Sequence, residues 1–329
     1  MHHSKIIGVG SGFPERVMTN QEFESFLDTT DEWIRTRTGI QTRRIADPKK
    51  GETTLTLAEK AARKALAQAA LSPSELDMII VGTVTPETVM PCTANQLQAK
   101  LGAKKAFSFD LQAACSGFLY GMSIADQYLR NGNAKNALVI GVETLSTIVD
   151  WKDRSTCVLF GDGAGACVIT RSDDPKHQII ATKLFSDGTY GDLLSIPHGY
   201  CKVPPHSAEY RQDMHKVKMS GGEVFKLAVR NMVEASQQIL EENHFKPSDV
   251  DFVIVHQANI RIIEMCLKTM NVDPKKTWLN VSKYGNTSAA TLPVCLEEAW
   301  AAGAVKPGDL ILMATFGGGL TWGSALVRL

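Results

Sequence analysis

Short runs of consecutive apolar residues alternate along the chain with stretches whose apolar positions recur every three or four residues. The runs at 76–84, 106–111, 137–142, 166–170, 250–255, 277–281 and 309–314 predict strands, most of them buried on both faces because they lack polar alternation. Spacings of three and four over 55–70, 93–101, 116–130, 222–242, 260–270 and 289–302 predict helices. Strand and helix in alternation predict an α/β protein.

The pattern also repeats. Pro73-Ser74-Glu75-Leu76-Asp77 leads into Met-Ile-Ile-Val, and 174 residues later Pro247-Ser248-Asp249-Val250-Asp251 leads into Phe-Val-Ile-Val. At the same offset the strand ending at Val142 overlaps the one ending in Ala314-Thr315-Phe316, and the strand before Cys115 overlaps the one before Asn286. Two long copies indicate a duplicated α/β unit, since a solenoid would show more and shorter repeats. The predicted halves are 1–172 and 173–329. Residues 186–218 lack steady periodicity and are too long for an ordinary connection, which fits either a lid or a surface excursion.

Composition narrows the partners. The 329 residues carry 35 Lys plus Arg against 35 Asp plus Glu, so there is no overall basic field for nucleic acid or a polybasic membrane contact. With 44% hydrophobic and 21% charged residues the chain is expected to pack as a globule. The N-terminal segment has no long apolar run before its Gly and Pro, and no stretch reaches the ~18 apolar residues of a membrane span. Seven scattered cysteines without a CxxC pair predict reduced thiols, a cytoplasmic protein and no paired-Cys metal site.

Three turns carry candidate chemistry. Cys115, in Phe109-Asp-Leu-Gln-Ala-Ala-Cys115-Ser-Gly117-Phe118, lies between a strand and a helix, where the helix N-terminus is expected to favour thiolate. Cys157, Cys167, Cys266 and Cys295 read as buried small hydrophobes. His256 follows an apolar strand, at the carboxyl end where open α/β sheets place their sites; taken alone, a histidine there is more often a satisfied core residue than a catalytic one. Asn286 sits in another strand-to-helix turn and reads either as a cap or as an amide donor. One half supplies the thiol and the other the imidazole and amide, a set suited to acyl transfer. Gly161-Asp-Gly-Ala-Gly165-Ala imitates a dinucleotide fingerprint but leads into a strand, so a hairpin turn is expected. Gly317-Gly318-Gly319 follows the last long strand and permits backbone N–H groups to face an oxyanion, or makes a plain turn.

Five motifs in order then make the chain resemble the beta-ketoacyl-acyl-carrier-protein synthase III family of the thiolase superfamily. They are Asp28-Thr-Thr-Asp-Glu-Trp33-Ile-Arg-Thr-Arg37-Thr-Gly39-Ile40, Ala113-Ala-Cys115-Ser-Gly117, Phe160-Gly-Asp-Gly-Ala-Gly165-Ala, His256-Gln-Ala-Asn259-Ile-Arg261 and Tyr284-Gly-Asn286-Thr-Ser. The resemblance implies the thiolase fold, a duplicated five-layer αβαβα arrangement, and a homodimer. It implies that Cys115 takes an acyl group from acyl-CoA, that malonyl-acyl carrier protein then loses CO2, and that the carbanion attacks the thioester. In that scheme Cys115, His256 and Asn286 are catalytic, and the backbone N–H groups of Cys115 and Gly318 hold the acyl oxygen. Trp33 and Arg154 would sandwich the CoA adenine, with Thr29 and Arg37 at the nucleotide end and Asn259 on the pantetheine arm. Arg261, Lys226 and Lys268 would form a positive rim for the carrier protein. No metal or redox cofactor is implied, acyl-CoA being a substrate.

Two departures bear on substrate choice. Met90 stands before Pro91, where family members commonly place an aromatic residue that gates the partner's acyl pocket. The 198–217 segment is longer than its usual counterpart. The expected function is a condensing enzyme that starts fatty-acid synthesis. The rivals are a relative using a longer, branched or aromatic starter in secondary metabolism, and a noncatalytic acyl-CoA or acyl-carrier binding protein.

Overall fold

The computed structural model describes residues 2–197, 201–204 and 206–329. Strands β1 (His3–Gly12), β2 (Met78–Gly82), β3 (Phe107–Leu111), β4 (Asn136–Glu143) and β5 (Gly163–Ser172) form one sheet in the order β1-β5-β4-β2-β3. Strands β6 (Gln178–Ser186), β7 (Phe252–Val255), β8 (Leu310–Gly317) and β9 (Thr321–Arg328) form a second in the order β7-β8-β9-β6. Within the first sheet β4, β2 and β3 run parallel while β5 pairs antiparallel with both β1 and β4. The second follows the same plan: β7 is parallel to β8, and β9 is antiparallel to β8 and β6.

The helices are α1 (Asp31–Thr38), α2 (Thr54–Gln68), α3 (Thr93–Leu101), α4 (Gly117–Arg130), α5 (Gly221–Glu242), α6 (Ile260–Thr269) and α7 (Thr291–Ala301), besides shorter turns. Helices α4 and α7 touch both sheets and form the middle layer. Helix α2 covers the outer face of the first sheet and α5 that of the second, which completes a five-layer αβαβα stack. This explains the uninterrupted apolar runs. Met78 and Ile80 of β2 face the middle layer with Ile254, Met313 and Leu296, whereas Ile79 and Val81 face α2 with Leu57, Ala61 and Ala65. A strand covered on both faces has no polar side, and each fully buried Leu, Ile or Met contributes about 1.5–3 kcal/mol.

Three expectations change. The run at 277–281 makes only a single bridge, Thr277 to Val253, because Asn280 and Val281 turn inward: both backbone N–H groups donate to Gln257 Oε1. The glycines of 161–165 are not a hairpin turn but lead directly into β5. A Cβ on Gly165 would lie 2.7 Å from the Pro293 ring in α7, so glycine is needed there for close layer packing. Strands β1, β6 and β9 add elements that the hydrophobic pattern did not indicate.

The 186–218 segment is tied at its base, where Leu194–Ser195 pairs with Lys218–Met219. Leu194, Ile196, Val217 and Met219 line a wall of the cleft described below. Residues 198–200 and 205 of that segment lie outside the described residues.

Candidate active site

A cleft of about 1640 Å³ opens over the carboxyl ends of β3, β4, β7 and β8, and Cys115, His256, Asn286 and Gly318 all line it. Ends of parallel strands leave side chains and unpaired backbone groups in a crevice, which makes this the chemically available edge of such sheets.

Cys115 lies in the one-turn helix Ala114–Ser116 that leads into α4, and it is 9% exposed. Ala114 before it takes the left-handed conformation at φ 45°, a strained placement for a residue with a Cβ. Thr315 Oγ1 donates to the Cys115 carbonyl at 3.0 Å, fixing the turn to β8. Gly317 faces the turn from the same strand: a Cβ there would stand 2.6 Å from the Cys115 nitrogen. Glycine is what allows the 317–319 backbone to approach the nucleophile turn. Burial pushes the Cys115 thiol up to about 12, the nearby Glu143 carboxylate adds to the rise, and the Ser288 hydroxyl opposes both. The expectation of a depressed pKa is therefore corrected. Desolvation of the thiolate is the largest of these effects and holds Cys115 as a protonated thiol.

His256 is the first residue after β7, and its N–H donates to Ala314 O at 2.9 Å. Its ring is 3% exposed, and burial drives its pKa down to about 3, so it is neutral. Nδ1 lies 2.6 Å from Thr291 Oγ1, which donates to Ser288 O at 3.0 Å. The single Thr291 hydroxyl proton thus decides the tautomer: placed on the Nδ1 contact it leaves the ring proton on Nε2, and placed toward Ser288 O it leaves Nε2 bare.

Asn286 is stitched into the first half of the chain. Its N–H donates to Leu159 O at 2.8 Å and its carbonyl accepts from the Gly161 N–H at 3.1 Å. Its Oδ1 accepts from the Ser288 N–H at 2.8 Å, which fixes the amide orientation and directs the side-chain NH2 away from that bond. The Asn286 oxygen is thus used within its own turn, between residues 286 and 288, while the N-cap position of the following one-turn helix is Thr287.

At the cleft mouth α1 places Trp33 and Arg37 one turn apart. The Arg37 guanidinium lies 4.9 Å and that of Arg154 5.0 Å from the Trp33 ring centroid, distances suited to cation–π contact. Arg154 also donates to the Asp28 carbonyl. Asn259 caps α6, its Oδ1 accepting from the Arg261 N–H at 2.9 Å, while its Nδ2 donates to Arg37 O at 3.2 Å. It thus joins α6 to α1. Trp33, Arg37, Arg154, Asn259, Arg261 and Lys226 line the cleft. Thr29, Lys268 and Met90 are not among its lining residues. The Thr29 hydroxyl is buried without a hydrogen-bond partner among the described residues, Lys268 lies exposed in the last turn of α6, and Met90 is 88% exposed.

Sequence reasoning missed Glu143, Ser288 and Thr291. A carboxylate ending an otherwise apolar strand was the available signal for Glu143; Ser288 and Thr291 follow Asn286 closely but gain their partners only through packing. Among the described residues no three His, Cys, Asp or Glu side chains gather as a metal-binding group, and no helix is long and apolar enough to cross a membrane.

Comparison with known proteins agrees with this geometry. Residues 109–188 match the 3-oxoacyl-(acyl-carrier-protein) synthase III family and residues 240–329 match its C-terminal counterpart. The chain is 50% identical over 326 residues to the beta-ketoacyl-(acyl-carrier-protein) synthase III of Aquifex aeolicus, covering 99% of both sequences. The crystal structure of the Aquifex aeolicus 3-oxoacyl-(acyl-carrier-protein) synthase III superposes with a TM-score of 0.91 at 49% identity, over 99% of this chain and 100% of that one. The priming beta-ketosynthase of the R1128 polyketide pathway superposes with a TM-score of 0.92 at 35% identity, over 99% and 96%. With its thiolase-type layers and near-complete coverage of such relatives, this chain belongs to the beta-ketoacyl-(acyl-carrier-protein) synthase III family of condensing enzymes.

Proposed function

We propose that the cleft joins an acyl-CoA starter to malonyl-acyl carrier protein by decarboxylative condensation, the initiating step of fatty-acid synthesis, in the cytoplasm and with no cofactor. The observation that carries the reading is the convergence in one cleft of a thiol from the first half of the chain with an imidazole and an oriented amide from the second half. Cys115 attacks the starter thioester, and the N–H groups of Cys115 and Gly318 hold the acyl oxygen. Malonyl thioester then loses CO2, and His256 Nε2–H and the Asn286 NH2 donate to the oxygen on which enolate charge develops. A donor of this kind supplies about 2.7–4 kcal/mol of transition-state stabilisation. The donor role requires the Thr291 hydroxyl proton to turn from Ser288 O to Nδ1, which leaves the ring proton on Nε2.

The CoA adenine is read as stacking on Trp33 beside Arg154, with Arg37 and Thr29 at the nucleotide end and Asn259 along the pantetheine arm. Arg261 and Lys226 at the mouth, with Lys268 further along α6, supply the positive rim that an acidic carrier protein needs. We further propose that the halves divide at 172/173, with equivalent strand order in the two sheets as support. A homodimer is expected through β3, an edge strand that leaves Phe107 43% exposed beside Tyr128. Val89 and Met90 are exposed, and on this reading Met90 reaches toward the partner's acyl pocket.

The likeness to a polyketide priming ketosynthase supports a second reading, with the same chemistry on a larger or branched starter. Intact-protein mass after mixing with acyl-CoAs from acetyl to decanoyl, plus branched and aromatic donors, separates the two. An acetyl-sized adduct that is absent in Cys115→Ser supports initiation. Adducts only from larger donors move the reading to the specialised enzyme, and no adduct at all leaves a binding protein.

A further inference from the structure

Glu143 has no part in the chemistry above, yet its position is unusual for a carboxyl group. It ends β4 with no exposed surface, and no cation is hydrogen-bonded to it among the described residues. Its Oε2 is saturated, accepting from Thr83 Oγ1 at 3.2 Å, the Val84 and Thr85 N–H groups at 3.1 Å each and Thr85 Oγ1 at 2.5 Å. Among the described residues its Oε1 accepts from the Val84 N–H at 3.1 Å and from Ser288 Oγ at 3.3 Å. The less saturated oxygen is the one that faces Ser288.

Ser288 holds the other end. Its one-turn helix Ser288–Ala290 packs against the turn Ala114–Ser116 that carries Cys115, and its hydroxyl acts on the Cys115 thiol. The residue is held at φ 51°, a conformation that costs a side-chain-bearing residue free energy and is kept where the surroundings impose it. The Ser288 hydroxyl thus lies between the turn of Cys115 and the Glu143 carboxylate to which it donates, and a hydroxyl can accept one proton while passing on its own.

We propose that Ser288 and Glu143 form the proton path for Cys115, taking its proton as the acyl group arrives and returning it as the product leaves. The inference rests on Cys115 being the nucleophile. During acylation the Cys115 S–H proton passes to Ser288 Oγ while the Ser288 proton passes to Glu143 Oε1. The Cys115 sulfur bonds the acyl carbon, and the CoA sulfur departs with its bonding pair and takes a proton from water. During condensation the carbanion bonds the same carbon, the Cys115 sulfur leaves with its pair, and the two proton shifts run backward. The acyl-enzyme thus carries a neutral Glu143.

The surroundings suit this assignment. Burial lifts the Glu143 carboxyl to about 7 despite its hydrogen bonds, whereas burial holds His256 near 3, so the carboxylate is the better proton acceptor at neutral pH. Cys115, from the turn ahead of α4, is the titratable group that faces Glu143. The 83–85 loop presents hydroxyls and N–H groups, and α2 presents Thr54, whose hydroxyl bonds Thr85 O and meets that of Thr144. His256 lines the same cleft.

The test is single-turnover acylation by acyl-CoA, followed by intact mass from acid to alkaline pH. The wild-type rate is expected to rise with pH through about 7 as Glu143 becomes an acceptor. Glu143→Gln and Ser288→Ala should each lose that step and acylate about 10²-fold slower, the low end for a lost proton acceptor. A variant that keeps the wild-type step near 7 overturns the proposal, because a purely structural role would not move it. A rate measurement on wild type in mixed H2O and D2O needs no variant: two protons in flight give a curved dependence on deuterium fraction, and a straight line overturns the path. If Cys115→Ser still forms the adduct, the nucleophile assignment fails instead, which keeps the two failures distinct.

Discussion

Acid should unfold this protein in part through His256, by an amount the structure sets. The unfolded imidazole takes a proton below 6.5, while the buried ring in the folded chain resists protonation down to about 3. Between those values the unfolded state binds more protons, so stability falls as pH falls. At about 1.36 kcal/mol per pH unit the full window corresponds to roughly 5 kcal/mol, and reaching about pH 5 uses roughly 2 kcal/mol of it. Glu143 acts in the opposite sense. Its folded pKa of about 7 lies above the ordinary 4.5, so its contribution is fully present below 4.5 and is lost as pH rises through 7. The total pH profile of the wild type is therefore flattened, and the histidine must be isolated by difference. Urea unfolding of wild type and His256→Gln at neutral pH and near pH 5, at one fixed protein concentration, does this because Glu143 is common to both. The gap between the two proteins should shift by about 2 kcal/mol in favour of the variant on acidification. Parallel stability profiles would refute the claim that His256 stays neutral in the fold.

Other perturbations probe neighbouring links. Gly317→Ala puts a Cβ 2.6 Å from the Cys115 nitrogen, where only backbone can move; acylation should slow by about 10²–10³-fold, as for loss of one oxyanion donor, in a single-turnover assay. Thr291→Val should let the His256 tautomer drift, seen as changed ¹⁵N shifts of the ring and a lower rate of malonyl decarboxylation with acylation retained; Thr291→Ser should restore both. Ala70→Gly and His244→Gly remove left-handed strain at φ 50° and 61° just past α2 and α5, and each should raise stability by about 1 kcal/mol in thermal unfolding.

What could be read from the sequence follows the range of the physics. The runs at 76–84 and 250–255 announced β2 and β7 because burial on two faces leaves a local signature, an unbroken apolar string. β1 was not legible: Gly8, Gly10 and Gly12 interrupt its pattern where α2 crosses closely. Cys115, His256 and Asn286 were legible as strand-end residues, since position at a turn is local. The state of the thiol was not, because desolvation is a property of the packed cleft and here it is the largest effect on Cys115. Glu143 and Ser288 lie 145 residues apart and acquire a relation only when the two sheets close on their shared middle layer.

The same turn occurs twice, and that bears on how the site was built. Ala114 and Ser288 are both left-handed, at φ 45° and 51°, each opens a one-turn helix, and each such helix runs into a middle-layer helix, at a constant offset of 174 residues. The two turns pack against each other. In the first the next residue is Cys115 and in the second it is Ala289, so only one copy presents a nucleophile. The strained residue itself differs in the opposite sense: Ala114 offers a methyl group, whereas Ser288 offers the hydroxyl that stands between Cys115 and Glu143. A symmetric pair of turns placed face to face can hold one thiol and one hydroxyl in contact without any new loop, because the backbone that positions each is already required by the layer packing. On this argument Ser288→Ala should leave the turn intact, since Ala114 shows that alanine is accommodated there, and its effect on acylation should be read as loss of the hydroxyl alone.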